Sequence, residues 1–110
     1  MRRILVSIAL TLFAVAGLHA QDAKKVAAGK ALFDKQKCAT CHQIAGKGSK
    51  MSPLDGVGSK LSAAEIKQWL LDPDTMSAKL AKKPAVKMKK VELPAADIDS
   101  LVEYMLSLKK

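Results

Sequence analysis

The stretch KCATCHQ, residues 37–43, holds both cysteines of the chain and sets a histidine directly behind the second. Cys38 and Cys41 stand three positions apart, and His42 comes next. What such a cluster can do depends on where the chain goes and on what other metal ligands it offers.

The chain opens MRRILVSIALTLFAVAGLHA, residues 1–20. Arg2 and Arg3 form a basic start, an apolar run from Ile4 to Leu18 follows, and Ala20 is small enough for cleavage. This pattern predicts a cleaved secretory signal peptide, since the run is short for a membrane span. Residue 21 is Gln, so no lipid-modified cysteine is expected there. The expected product is a single domain, residues 21–110, exported to the periplasm. It has no further long apolar segment, so neither stable membrane insertion nor a second domain is expected. Without Arg2 and Arg3 the basic count falls from 19 to 17 against ten acids, a net charge of +7. Such charge favours acidic partners or anionic surfaces. A domain this small buries a modest core, and a cofactor with apolar surface would add to it.

Helix signals dominate the exported part. Val26, Gly29 and Phe33, with Leu32 beside them, line one face of a helix expected over about 22–37. Gly29 costs such a helix about 1 kcal/mol relative to Ala, which suggests a close neighbour at that point. Residues 43–61 carry four glycines and a proline and read as an ordered loop. Ser62-Ala-Ala-Glu65 is a capping box, with Leu61 and Ile66 at the staple positions. Ile66, Trp69 and Leu70 make the apolar face of this helix, and Asp72-Pro73 ends it. Thr75–Lys83 can form one or two turns. A last helix is expected from about Pro94 to Leu108, with Ile98, Leu101, Val102, Met105 and Leu108 inward and Tyr104 at the edge.

Cys38-Ala-Thr-Cys41-His42 matches C-x-x-C-H, the attachment motif for c-type haem. Two thiols at this spacing reach the two vinyl groups on one porphyrin edge, and His42 is placed to bind iron through Nε2. A thioredoxin-like dithiol would follow a strand, and no strand pattern precedes Lys37. A zinc site commonly needs four Cys or His ligands, and the exported part has three. A local disulfide would leave His42 without a role.

The other histidine, His19, leaves with the signal peptide, so methionine is the natural sixth ligand. Met105 belongs to the last helix face, and Met51 follows His42 by only nine residues. Met88, in an irregular segment between Pro84 and Pro94, is favoured, with Met76 second. An open sixth position would instead suggest gas binding or catalysis.

On these residues the chain resembles the class I c-type cytochromes, the small soluble monohaem family, along nearly all of its exported length. Gly29 and Phe33 match the family's small and aromatic pair in the first helix, and Leu101 and Tyr104 match the apolar and aromatic pair in the last. The resemblance implies an all-α, cytochrome c-like fold of three to five helices around one covalent haem c. It implies that the two terminal helices cross closely at Gly29. Ser52-Pro53-Leu54 looks like the family's proline loop, whose backbone carbonyl accepts from the proximal histidine. By that likeness Pro53 orients His42, Leu54 packs on the ring, and Trp69 is the aromatic near the haem. Two features depart from the pattern: Phe33 stands five positions before Cys38, where several relatives have four, and Lys89 follows Met88 where proline is common.

The expected function is one-electron transfer by a haem ligated by His42 and Met88, in a carrier without a catalytic site of its own. Lys79, Lys82, Lys83, Lys87, Lys89 and Lys90 flank Met88, and no acid occurs from Thr75 to Val91. Redox partners with acidic docking surfaces are expected. Nucleic acid is not, because no aromatics interleave these lysines. A monomer is expected. The rival readings are a haem c subunit of an oxidoreductase complex and a haem-based small-ligand sensor.

Overall fold

Asp22 starts the first helix, α1 (Ala23–Lys35), by accepting from the Lys24 and Lys25 N–H groups at 2.9 and 3.4 Å. This is the N-cap role that short acidic side chains fill well. The computed structural model describes residues 22–110. The expected signal peptide, Gln21 and His19 lie outside the described residues.

Five helices follow one another in the described residues: α1, α2 (Val57–Lys60), α3 (Ala63–Leu71), α4 (Pro73–Ala78) and α5 (Ala95–Ser107). Three short strands, β1 (His42–Ile44), β2 (Lys47–Gly48) and β3 (Ser52–Pro53), lie between α1 and α2. They form one small sheet in the order β2-β1-β3. The architecture is therefore mostly helical, as expected. The segment 43–61, however, is not simply loop: it carries most of this sheet and the one-turn helix α2. Strands of two or three residues are too short to show an alternating pattern.

The main packing is α1 across α5. Gly29 sits against the Ser100 carbonyl and the Tyr104 Cβ, and a Cβ at position 29 would overlap both. The absence of a side chain lets the two backbones approach, which accounts for a glycine inside a helix. Next to this crossing Phe33 meets Tyr104 edge-on. Phe33, Ile66, Leu70, Ile98, Leu101, Val102, Tyr104 and Met105 form one buried cluster. Tyr104 is inside it rather than at its edge, because the Phe33 ring covers it. Ser100, also buried, satisfies its hydroxyl by donating to the Ala96 carbonyl at 3.1 Å.

Both halves of the capping box at α3 are formed. Glu65 N–H donates to Ser62 Oγ at 3.2 Å, and Ser62 N–H donates to Glu65 Oε1 at 3.1 Å. Asp72-Pro73 ends α3 as expected, but it also opens α4. Pro73 takes the first helical position, where a missing N–H costs nothing, and Asp72 caps by accepting from the Thr75 N–H at 3.4 Å, with its other oxygen accepting from Thr75 Oγ1 at 2.6 Å. The short helix thus begins two residues before the expected Thr75 and stops at Ala78. α2 is clasped to the end of α5, where Gly58 N–H donates to the Leu108 carbonyl at 2.9 Å.

Candidate haem-binding site

Lys37 turns the chain out of α1 in a left-handed conformation, φ 58°. A 3-10 turn over Cys38–Thr40 follows, closed by Cys41 N–H donating to the Cys38 carbonyl at 3.2 Å. Both cysteines are half-buried free thiols on this one piece of backbone. Cys38 packs against the buried cluster. Burial pushes its thiol pKa up; a backbone hydrogen bond opposes this, and the Asp34 charge adds to it. The thiol is accordingly held in its neutral form.

His42 is the first residue of β1, which runs parallel to β3 with His42 opposite Ser52 and Gln43 opposite Pro53. Ser52 N–H donates to the Cys41 carbonyl at 3.0 Å, and Leu54 N–H donates to the Gln43 carbonyl at 2.8 Å. In this register His42 Nδ1 lies 2.9 Å from the Ser52 carbonyl oxygen. A carbonyl only accepts, so Nδ1 carries a proton, and in the neutral imidazole the lone pair is then on Nε2. That is the tautomer a metal-binding imidazole needs. The acceptor belongs to Ser52, one residue ahead of Pro53. Pro53 itself is exposed, and it restricts the backbone of the preceding residue to extended conformations. It thereby fixes where the Ser52 carbonyl points.

On the other side of β1, Gly48 pairs with Gln43 at φ 100°. A Cβ there would overlap the His42 carbonyl. The family resemblance placed an acceptor carbonyl in Ser52-Pro53-Leu54 without singling out Ser52, and sequence reasoning missed Gly48. Backbone carbonyls leave no residue-type signal, and one glycine among four in a loop does not single itself out.

Leu54, Trp69 and Met88 are all half-buried. Leu54 and Met88 pack against the buried cluster, and Trp69 lies on α3. Three residues beyond Met88, Val91 N–H donates to the Leu70 carbonyl at 2.8 Å, which ties the Met88 segment to the end of α3. The site residues thus fall into two groups. Cys38, Cys41, His42, Pro53 and Leu54 share the 3-10 turn and its ladder; Trp69 and Met88 are joined through α3.

The remaining methionines sit in different surroundings. Met105 is in the core at 6% exposure and Met51 is 60% exposed. Met76 lines a small cleft with Gln68, Asp72, Thr75 and Lys79, a largely polar setting. Met88 alone of the four combines an irregular backbone with an apolar, half-buried side chain.

This donor set suits a porphyrin iron better than a bare ion. Among the described residues no three His, Cys, Asp or Glu side chains converge as a metal group. Two unpaired thiols on one turn, an imidazole with Nε2 free, and the flanking apolar Ile44 and Leu54 can hold a macrocycle by its edge and bind its metal from one side.

Fold and site together define a small, mostly helical haem-binding protein. The family model described as Cytochrome c matches residues 26–109, and the chain belongs to that family. Membership brings covalently bound haem c and a role in electron transfer. No curated protein and no solved structure matches the chain. No helix among the described residues is long and apolar enough to cross a membrane.

Proposed function

We propose that this protein is a soluble periplasmic electron carrier whose single haem c is held by Cys38 and Cys41 and ligated by His42 and Met88. The observation that carries the proposal is the contact between His42 Nδ1 and the Ser52 carbonyl, immediately after the two free thiols. When bound, the haem supplies the one-electron Fe(II)/Fe(III) couple. The chain supplies the rest. The cysteines would anchor the cofactor, His42 would present Nε2 to its iron, and Met88 would supply a thioether as the second protein ligand. Leu54 and Trp69 exclude water around the ring, and Pro53 keeps the Ser52 carbonyl on the imidazole. With His42 and Met88 both bound, the iron would offer no open site to a substrate, which favours transfer over catalysis.

The lysines of the Met88 segment are all exposed. Beside a haem edge they would present a positive surface to redox partners with acidic docking faces, raising encounter rates more than affinity. Leu80 and Val86, 42% and 54% exposed within the same run, also favour a second reading, a haem c subunit held permanently in an oxidoreductase complex. Copurification of a stoichiometric partner from the native source would establish that reading over the free carrier.

Absorption spectroscopy tests the ligand assignment. The oxidised protein should show the weak red-edge sulfur–iron band of a methionine-ligated haem. Met88→Ala should lose it while Met76→Ala keeps it. The reverse pattern would transfer the assignment to Met76, and a band absent from the unsubstituted protein would exclude methionine ligation.

A further inference from the structure

We propose that Asp55 is a positioning residue for the proximal histidine, acting through the strand ladder; the inference rests on His42 being an axial ligand. Asp55 touches neither His42 nor the cysteines by sequence, and no motif marks it. Its Oδ1 accepts from the Ala45 N–H at 2.8 Å, ten residues back along the chain.

The location of this bond gives it its effect. The parallel pairing of His42 with Ser52 and Gln43 with Pro53 is bounded by two backbone hydrogen bonds, Ser52 N–H to the Cys41 carbonyl and Leu54 N–H to the Gln43 carbonyl. The next donor in line, one residue past β1, is the Ala45 N–H. The nearby Leu54 carbonyl is already engaged, because it accepts from Val57 N–H at 3.0 Å at the start of α2. The Asp55 carboxylate takes the free donor instead and adds one more rung. Ala45 stands there at φ 51°, a left-handed conformation that alanine adopts at a cost, so without a partner this end of β1 would be free to relax.

A ladder of two residue pairs is short and frays easily at its ends, and a one-residue slip moves every side chain to the other face. Slippage here would carry the Ser52 carbonyl away from His42 Nδ1. The Asp55 rung holds Ser52 and His42 in register from the far end. A carbonyl held on Nδ1–H raises the basicity of Nε2 and so favours the more oxidised metal. Asp55 therefore keeps the reduction potential lower than it would otherwise be.

Two substitutions separate positioning from charge. Asp55→Ala removes the acceptor and the charge; Asp55→Asn removes the charge but keeps an oxygen for Ala45. In the haem-loaded protein, voltammetry should show a raised potential in Asp55→Ala and a potential close to the unsubstituted value in Asp55→Asn. The His42 Nδ1 proton, followed by NMR in the reduced protein, should exchange at least tenfold faster in Asp55→Ala and at the original rate in Asp55→Asn. Equal shifts in the two variants would overturn the proposal in favour of simple charge removal, and so would an Asp55→Ala protein with unchanged potential and exchange. Failure of the ligation reading is separately visible, because it removes the sulfur–iron band from the unsubstituted protein whatever Asp55 does.

Discussion

The rings of Phe33 and Tyr104 meet edge-on, with centroids 5.8 Å apart and planes at 64°. This pair lies beside the point where Gly29 of α1 rests on the Ser100 carbonyl of α5. The ring contact needs the close approach that the glycine permits, and the same crossing organises the core behind the candidate site.

Gly29→Ala should therefore be destabilising although alanine is the better helix former. The added Cβ meets backbone, which cannot rotate away, and overpacking of this kind costs about 1–3 kcal/mol. The propensity gain of about 1 kcal/mol does not offset it. Urea denaturation should show a lowered midpoint. Ala28, the exposed neighbour on α1, provides the contrast: Ala28→Gly should lose only the propensity difference. A Gly29→Ala protein as stable as the original would contradict the close crossing.

Pro53→Ala should act on both stability and redox behaviour. Freeing the unfolded backbone costs about 0.4–1 kcal/mol. Loss of the restraint on Ser52 loosens its carbonyl from His42 and should raise the reduction potential. Voltammetry and denaturation on the same preparation check both. A stability loss with no change in potential would mean that Pro53 does not direct the Ser52 carbonyl.

The α3 capping box should leave a mark on acid stability. Hydrogen bonds from the Ser62 backbone, then from its side chain, hold the Glu65 carboxyl below its usual pKa. A lowered folded-state value means that the native chain binds fewer protons than the unfolded chain. The contribution is thus complete above the unfolded value of about 4.3 and is lost as pH falls through the folded value. Asp72 behaves likewise, with Thr75 as the main cause. Glu65→Gln keeps an acceptor that does not titrate, so its denaturation midpoint should fall less steeply below about pH 4.3. Parallel acid profiles would show that the box contributes nothing through its charge.

How much of this was legible beforehand follows from the range of each interaction. The haem motif and the capping box are local patterns of side chains, and both could be read directly. Gly29 signalled a close neighbour because a glycine inside an apolar helix face is costly, although only the three-dimensional fold identifies Ser100 as the carbonyl involved. Asp72-Pro73 was read correctly as a stop but not as the start of α4, since proline ends one helix and suits the first position of the next. The Ser52 carbonyl was expected only through family resemblance, as part of Ser52-Pro53-Leu54, and the Asp55 role was not legible. One acts through a backbone carbonyl and the other through a bond to a backbone N–H ten residues away, and neither leaves a periodicity or a residue-type signature.

The lysine-rich segment predicts a salt dependence. If Lys79, Lys82, Lys83, Lys87, Lys89 and Lys90 steer an acidic partner, the bimolecular electron-transfer rate should fall as ionic strength rises, because screening shortens the reach of these charges to about 10 Å at 0.1 M. Lys83→Glu and Lys87→Glu should lower the low-salt rate and flatten the slope. Stopped-flow rates indifferent to salt would remove the steering role.

The central claim is that Cys38 and Cys41 carry haem as covalent thioethers, with His42 beneath the iron. Mass spectrometry of the exported protein, made in a host with working cytochrome maturation, tests it most directly. The denatured chain should be heavier by one haem, with the added mass on the peptide containing Cys38 and Cys41, and the protein should be unmodified when both are changed to serine. A chain that loses its colour to acidic solvent and shows the unmodified mass at that peptide would contradict it.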